Sequence, residues 1–280
     1  RYDLLKINNY KTKKSLPVSG RLFSMRSLYF ILILVVFSSC QIDKNNNDHV
    51  ENQENVVATK INGPTLVVLG TIQDAGSPHI GCEKDCCKDL FNNPDKDRQV
   101  VCLGLIDPDN QTNYLFEATP DLPSQLNQLI KLSPFKSGPT PTGIFLTHAH
   151  IGHYTGLMYF GKEAIGASAV PVYAMPKMHD YLSTNGPWSQ LVNGKNIQLE
   201  RINNDSTITL SKGIEVTPFL VPHRDEFSET VGYTIKGPNK SILFIPDINK
   251  WEVWESSIIE AIEKVDYAFI DATFFSGDEI

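Results

Sequence analysis

Between residues 65 and 270, short apolar runs alternate with polar stretches rich in Gly and Pro. Runs of four to eight residues dominated by Val, Ile, Leu, Phe and Tyr read as strands. The pattern predicts strands at 65–70, 100–106, 113–117, 143–146, 170–174, 197–202, 214–221, 230–235, 241–245 and 267–270. It predicts helices at 121–132, 152–160, 176–183 and 254–264. Strands outnumber helices and several follow one another directly, which is not the order of a repeated βαβ unit. That order suits an α/β (α+β) fold in which two sheets pack together and helices cover their outer faces. The chain shows no internal repeat.

The N-terminal stretch follows other rules. Met25-Arg26-Ser27 opens a run of ten unbroken apolar residues at 28–37, LYFILILVVF. A bilayer core of ~30 Å needs about 20 residues to span it. Ten suit the core of a signal peptide. Ser38-Ser39-Cys40 follows. Small residues directly before a cysteine resemble a bacterial lipoprotein signal over 25–40, which implies lipidation of Cys40, export, and a membrane anchor in the cell envelope. Phe37 departs from the usual aliphatic residue three before the cysteine. An ordinary secretory signal or a buried strand are the other readings. Residues 1–24, upstream of Met25, have no hydrophobic period and read as a spurious upstream segment. Residues 41–63 are polar and Asn-rich, the composition of a flexible tether that cannot pack a core. The folded domain is expected at 64–280.

Composition fits a globule. Of 280 residues, 41% are apolar and 20% charged, which excludes a wholly disordered, collagen-like or coiled-coil chain. Net charge is −7, from 25 basic and 32 acidic residues. Seven of the basic residues and one acid lie in residues 1–39, so the rest of the chain carries −13. With no Lys/Arg block in the body, nucleic acid is not an expected partner; a small-molecule substrate is. Oligomeric state is not legible.

Three of the seven histidines fall within six residues, in Thr147-His148-Ala149-His150-Ile151-Gly152-His153. They follow the apolar strand TGIFL and precede a helix-like segment. Imidazole is a common zinc ligand. Downstream, His223 follows one apolar strand in VPHRD, and Asp247 follows another in FIPD. If all these strands end at one sheet edge, that edge carries a metal centre.

The pattern H-x-H-x-x-H, then a distant His and a distant Asp, resembles the metallo-β-lactamase superfamily. The resemblance implies an αββα sandwich of two mixed sheets with outer helices and a metal site at one sheet edge. Carried over, it implies that His148, His150 and His223 hold a first metal and that His153 and Asp247 serve a second, with Asp247 bridging. Within the superfamily, GTIQDAGSPHIGCEKDCC and THAHIGHYTGL resemble the PQQ-biosynthesis protein B group. Two departures stand out. The family has Asp immediately before the third histidine, where this chain has Gly152. Its last metal histidine is expected beyond the segment FIDATF, so the domain reads as incomplete at its C-terminus. One catalytic zinc and a weak or absent second ion are therefore expected.

Cys82, Cys86 and Cys87 stand in GCEKDCC. Three thiolates so close suit a structural zinc clamping a loop, with His79 the nearest fourth ligand and Cys102 or a later histidine as alternatives. In an exported protein, disulfides are the competing reading. The chemistry expected at the histidine centre is hydrolysis of an ester, thioester, amide or phosphodiester by metal-activated water, with Asp247 and His153 as catalytic residues. A PQQ-type oxidoreductase and a metal-binding lipoprotein without turnover are the alternatives.

Overall fold

The computed structural model describes residues 61–273. Cys40, the apolar run before it and the tether up to residue 60 lie outside the described residues. Among the described residues no helix is long and apolar enough to cross a membrane.

Among the described residues, eleven strands form two sheets. Strands β1 (Thr65–Gly70), β2 (Cys102–Asp107), β3 (Thr112–Phe116), β4 (Gly143–Phe145), β5 (Val170–Ala174) and β6 (Ile197–Arg201) lie in that spatial order. The second sheet holds β7 (Ile208–Ser211), β8 (Ile214–Leu220), β9 (Val231–Lys236), β10 (Ser241–Ile245) and β11 (Tyr267–Ile270), with β11 and β7 at its edges. Both sheets are mixed. In the first, β1–β3 are antiparallel and β3–β6 parallel. In the second, only β10 and β11 are parallel.

Three apolar layers account for the sequence pattern. Side chains alternate faces along a strand, so Leu103, Leu105, Tyr114, Phe116 and Phe145 of the first sheet meet Val216, Tyr233, Ile235 and Phe244 of the second. On the first sheet's other face, Cys102, Ile106, Leu115 and Ile144 meet α1 (Leu122–Leu132), α3 (Pro176–Thr184) and α4 (Trp188–Asn193). Beyond the second sheet, Leu243 and Ile245 pack with Trp251, Trp254 and Ile258, where α5 (Ile258–Glu263) begins. Strands buried on both faces need continuous apolar runs rather than alternation. CLGLID and SILFI are such runs, and the αββα arrangement expected from the sequence is the one observed.

Several elements differ from the expectation. β7 and α4 were not foreseen. β7 is a four-residue edge strand with polar neighbours, joined to β8 by Lys212-Gly213 with Gly213 at φ 84°; α4 is only six residues long. The helix expected at 152–160 is a single α turn, α2 (Ile151–Tyr154), continued as a 3₁₀ segment from Thr155 to Phe160. The Gly156 amide donates to the Ala118 carbonyl at 2.8 Å instead of closing an α turn. A Cβ at Gly156 would lie 2.2 Å from the Thr119 carbonyl oxygen, so this close approach requires glycine. The last helix starts at residue 258, not 254, because the Ser257 side chain caps it by accepting from the Glu260 amide at 3.3 Å.

Candidate metal centre

The centre is built from strand ends. β3 and β4 run parallel in the first sheet, and β8 and β10 run the same way as each other across β9. Four C-terminal ends thus supply Glu117, His148, His223 and Asp247. Hydrogen bonds between the loops hold them together. The Val231 amide donates to the Thr147 carbonyl at 3.2 Å, linking the sheets beside the histidines. The Asn249 amide donates to the Pro222 carbonyl at 2.8 Å, tying the loop of Asp247 to that of His223. The Ala149 amide donates to Ser228 Oγ at 2.8 Å, fixing the bend between His148 and His150. His148 and His150 lie two residues apart, the spacing that puts side chains on one face, and this bond keeps both turned toward the same point.

His148, His150, His223 and Asp247 each place a ligand atom within 4.8 Å of the others. His148 Nε2 lies 3.0 Å from His150 Nδ1, and His223 Nε2 lies 2.9 Å from the same atom. Asp247 Oδ2 lies 3.2 Å from His223 Nε2 and 3.4 Å from His148 Nε2. His153 also approaches this carboxylate, its Nε2 3.6 Å from Asp247 Oδ2.

The outer nitrogens decide what the inner ones offer. His148 Nδ1 shares a hydrogen bond of 2.9 Å with Thr147 Oγ1, His150 Nε2 donates to Glu226 Oε2 at 3.0 Å, and His153 Nδ1 donates to Glu117 Oε2 at 2.7 Å. The Glu226 carboxylate only accepts, so its bond fixes the His150 tautomer that turns the Nδ1 lone pair inward. Inward lone pairs about 3 Å apart repel one another unless a cation lies between them. Burial, the leading effect, pushes the His148 imidazolium down to about 3, so this ring is neutral and able to ligate at neutral pH. At His153 burial also opposes the charged form, but Glu117 and Asp247 outweigh it and raise the imidazole to about 10. Burial likewise disfavours the Asp247 carboxylate, yet contacts with His148, His153 and His223 hold it well below the usual range. The pocket thus demands positive charge, and buried His153 Nε2 has no hydrogen-bond partner. The donor set fits a divalent metal: imidazole nitrogen with carboxylate oxygen.

Glu117 escaped the sequence reading. It is fully buried, and φ of 93° places it in the region that favours glycine. Such a conformation costs on the order of 1–3 kcal/mol. Packing holds it there: the Glu117 amide donates to the Phe145 carbonyl at 2.9 Å, and Ala118 donates to the His153 carbonyl at 2.9 Å. The available signal was an acid ending the apolar run NYLFE, one that needed a partner if buried.

The sulfurs of Cys82, Cys86 and Cys87 also lie within 4.8 Å of one another. All three are free, with Cys86 and Cys87 sulfurs 3.7 Å apart. Tetrahedral zinc with Zn–S bonds of about 2.3 Å sets its sulfurs roughly 3.8 Å apart, so the spacing suits a metal and the disulfide reading does not hold here. His79 is not part of this group, contrary to expectation: its Nδ1 faces the Ile80 carbonyl at 3.1 Å on the surface. Cys102 is also excluded, because it is fully buried in the helix-facing core.

A two-sheet sandwich with helices outside and a His/Asp cluster at one edge defines the metallo-β-lactamase class of fold. Residues 112–280 match the Beta-lactamase superfamily domain, and the chain belongs to that superfamily. It is 25% identical over 238 residues to the Coenzyme PQQ synthesis protein B of Nitrosococcus oceani, covering 76% of this chain and 75% of that protein. It is 30% identical over 167 residues to the protein of the same name from Bradyrhizobium diazoefficiens, covering 56% and 52%. Among solved structures, Zn(2+)-bound PqqB from Methylobacterium extorquens has the same fold, with a TM-score of 0.54 and 22% identity. That match covers 65% of this chain, and the chain spans 65% of the length of that protein.

Proposed function

We propose that this chain is a zinc-dependent hydrolase. The observation that carries the reading is the convergence of His148 Nε2, His150 Nδ1 and His223 Nε2 on one point beside Asp247. Three histidines with a position left over match the ligand set of catalytic rather than structural zinc. A metal bound here supplies a water that ionises near neutral pH and polarises the oxygen of an ester, thioester, amide or phosphodiester.

The protein's own groups do the rest. Glu226 keeps His150 in the ligating tautomer, and Thr147 steadies the His148 ring through its hydrogen bond to Nδ1. Asp247 stays ionised and, partly exposed, accepts a hydrogen bond from the attacking water and orients it. His153, held by Glu117, presents Nε2 3.6 Å from Asp247 Oδ2, where it can donate a proton to a leaving group or serve a second ion.

His148→Ala removes one of three nitrogens. The expected result is loss of about one zinc per chain, read by elemental analysis, with hydrolysis of a phosphodiester or thioester panel falling to background. Unchanged zinc content would overturn the reading. The similarity to Coenzyme PQQ synthesis protein B over 76% of the chain favours a second reading, an oxidoreductase acting on a quinone precursor. Oxygen consumption with such a precursor, and no turnover of the hydrolase panel, would decide for it.

A further inference from the structure

Gly152 stands where the superfamily pattern has a carboxylate, and its surroundings show what takes that place. A Cβ built on Gly152 would lie 2.5 Å from the Cβ of Asp74, 2.8 Å from its Cα and 2.4 Å from its carbonyl oxygen. The residue-152 side chain is therefore not simply missing. The backbone and Cβ of another aspartate occupy the space where it would begin.

Asp74 is held there by a tight turn. The Gly76 amide donates to the Gln73 carbonyl at 3.0 Å, with Gly76 at φ 82°. The Gln73 side chain closes the turn by accepting from the Ala75 amide at 2.9 Å. The base of the turn is anchored to the sheet region, since the amides of Thr71 and Ile72 both donate to the Gln99 carbonyl at 3.0 Å. Asp74 thus sits at the tip of a braced turn pressed onto α2. The next residue in that helix is His153, whose buried Nε2 lacks a hydrogen-bond partner and faces Asp247.

We propose that Asp74 supplies the second position of this metal centre with the carboxylate that residue 152 lacks, completing a divalent-cation site with His153 and Asp247. The proposal rests on the reading that His148, His150 and His223 hold a metal. It reverses the expectation of a weak or empty second position, which followed from Gly152 alone. It also explains why glycine stands at 152: any side chain there meets the backbone of the Asp74 turn, which cannot yield like a flexible side chain.

The test is zinc titration of the full chain after chelator treatment, by calorimetry and elemental analysis, comparing the unsubstituted protein with Asp74→Asn, Asp74→Glu and His148→Ala. Asp74→Asn keeps the size of the side chain and removes its charge. It should bind one zinc fewer per chain, or bind that zinc at least tenfold more weakly, while melting at the same temperature as the unsubstituted protein when both are metal-free. Asp74→Glu should recover part of the loss. Equal stoichiometry and affinity in Asp74→Asn would overturn the role of Asp74, as would a single ion at this edge in the unsubstituted protein. If His148→Ala also binds zinc unchanged, the metal centre itself is refuted, an outcome distinct from failure of Asp74 alone.

Discussion

At the scale of single residues, the centre depends on groups behind the ligands as much as on the ligands. Glu117 is the clearest case, a buried glutamate in a backbone conformation suited to glycine, bonded to His153 at 2.7 Å. Carboxylates in this position orient the ring and raise its basicity, and their loss typically costs 10–100-fold in metal affinity. Glu117→Gln should weaken zinc binding on the His153 side by about that factor, measured by titration. Glu226→Gln, removing the exposed partner of His150, should cost much less, because water can replace an exposed acceptor. Equal effects would show that burial does not govern this layer. The candidate ligands were legible in the sequence because H-x-H-x-x-H packs three rare donors into one loop. Glu117 was not, since an acid after an apolar run usually marks a strand end facing water.

At the scale of elements, the fold delivers these residues by ending parallel strands at one edge. β11 secures the far side of the second sheet through Asp266, just before it. Its carboxylate bonds Lys240 Nζ at 2.8 Å and the Ser241 amide at 2.8 Å, at the start of β10. The Lys240 hydrogen bond, followed by those of Ser241, lowers Asp266 from 3.8 to about 2. A carboxylate with a depressed folded-state value stabilises the fold above its unfolded value and loses that contribution as pH falls through the folded one. Asp266→Asn should therefore lower the urea midpoint at pH 7 and flatten its pH dependence between about pH 4 and 2. A parallel shift at all pH values would mean that packing, not charge, holds this edge. Strand identity was read well for β1, β5, β10 and β11, whose apolar runs are sharply bounded. β7 and α4 were missed because four to six residues give too short a period to register.

At the scale of the whole molecule, two clusters of metal-binding residue types stand in one domain. One is the His/Asp cluster at the sheet edge, and the other is the group of Cys82, Cys86 and Cys87 in the loop after β1. A structural zinc contributes folding free energy directly. Cys87→Ser, at the buried member of the group, should lower the melting temperature by several degrees and remove about one zinc per chain while the histidine centre stays loaded. Retention of that zinc would sink the assignment. The loop matters to the centre because it continues from the Asp74 turn, and Arg98 ties the two by donating to Ser77 Oγ at 3.3 Å and the Cys86 carbonyl at 3.2 Å.

The amino-acid order alone determined the two-sheet class, the layer pattern and the identity of His148, His150, His153, His223 and Asp247, because hydrophobic period and donor chemistry are local properties. It also identified Gly152 as a departure. Only the tertiary structure decided that the Asp74 turn abuts Gly152, which carboxylate backs His153, and that His79 is not in the cysteine group. Asp74 and Gly152 lie 78 positions apart and Glu117 and His153 lie 36 apart. Contacts over such separations depend on strand register, turn geometry and the approach of two loops to within a few ångströms, and none of these leaves a periodic trace in the residues that make them.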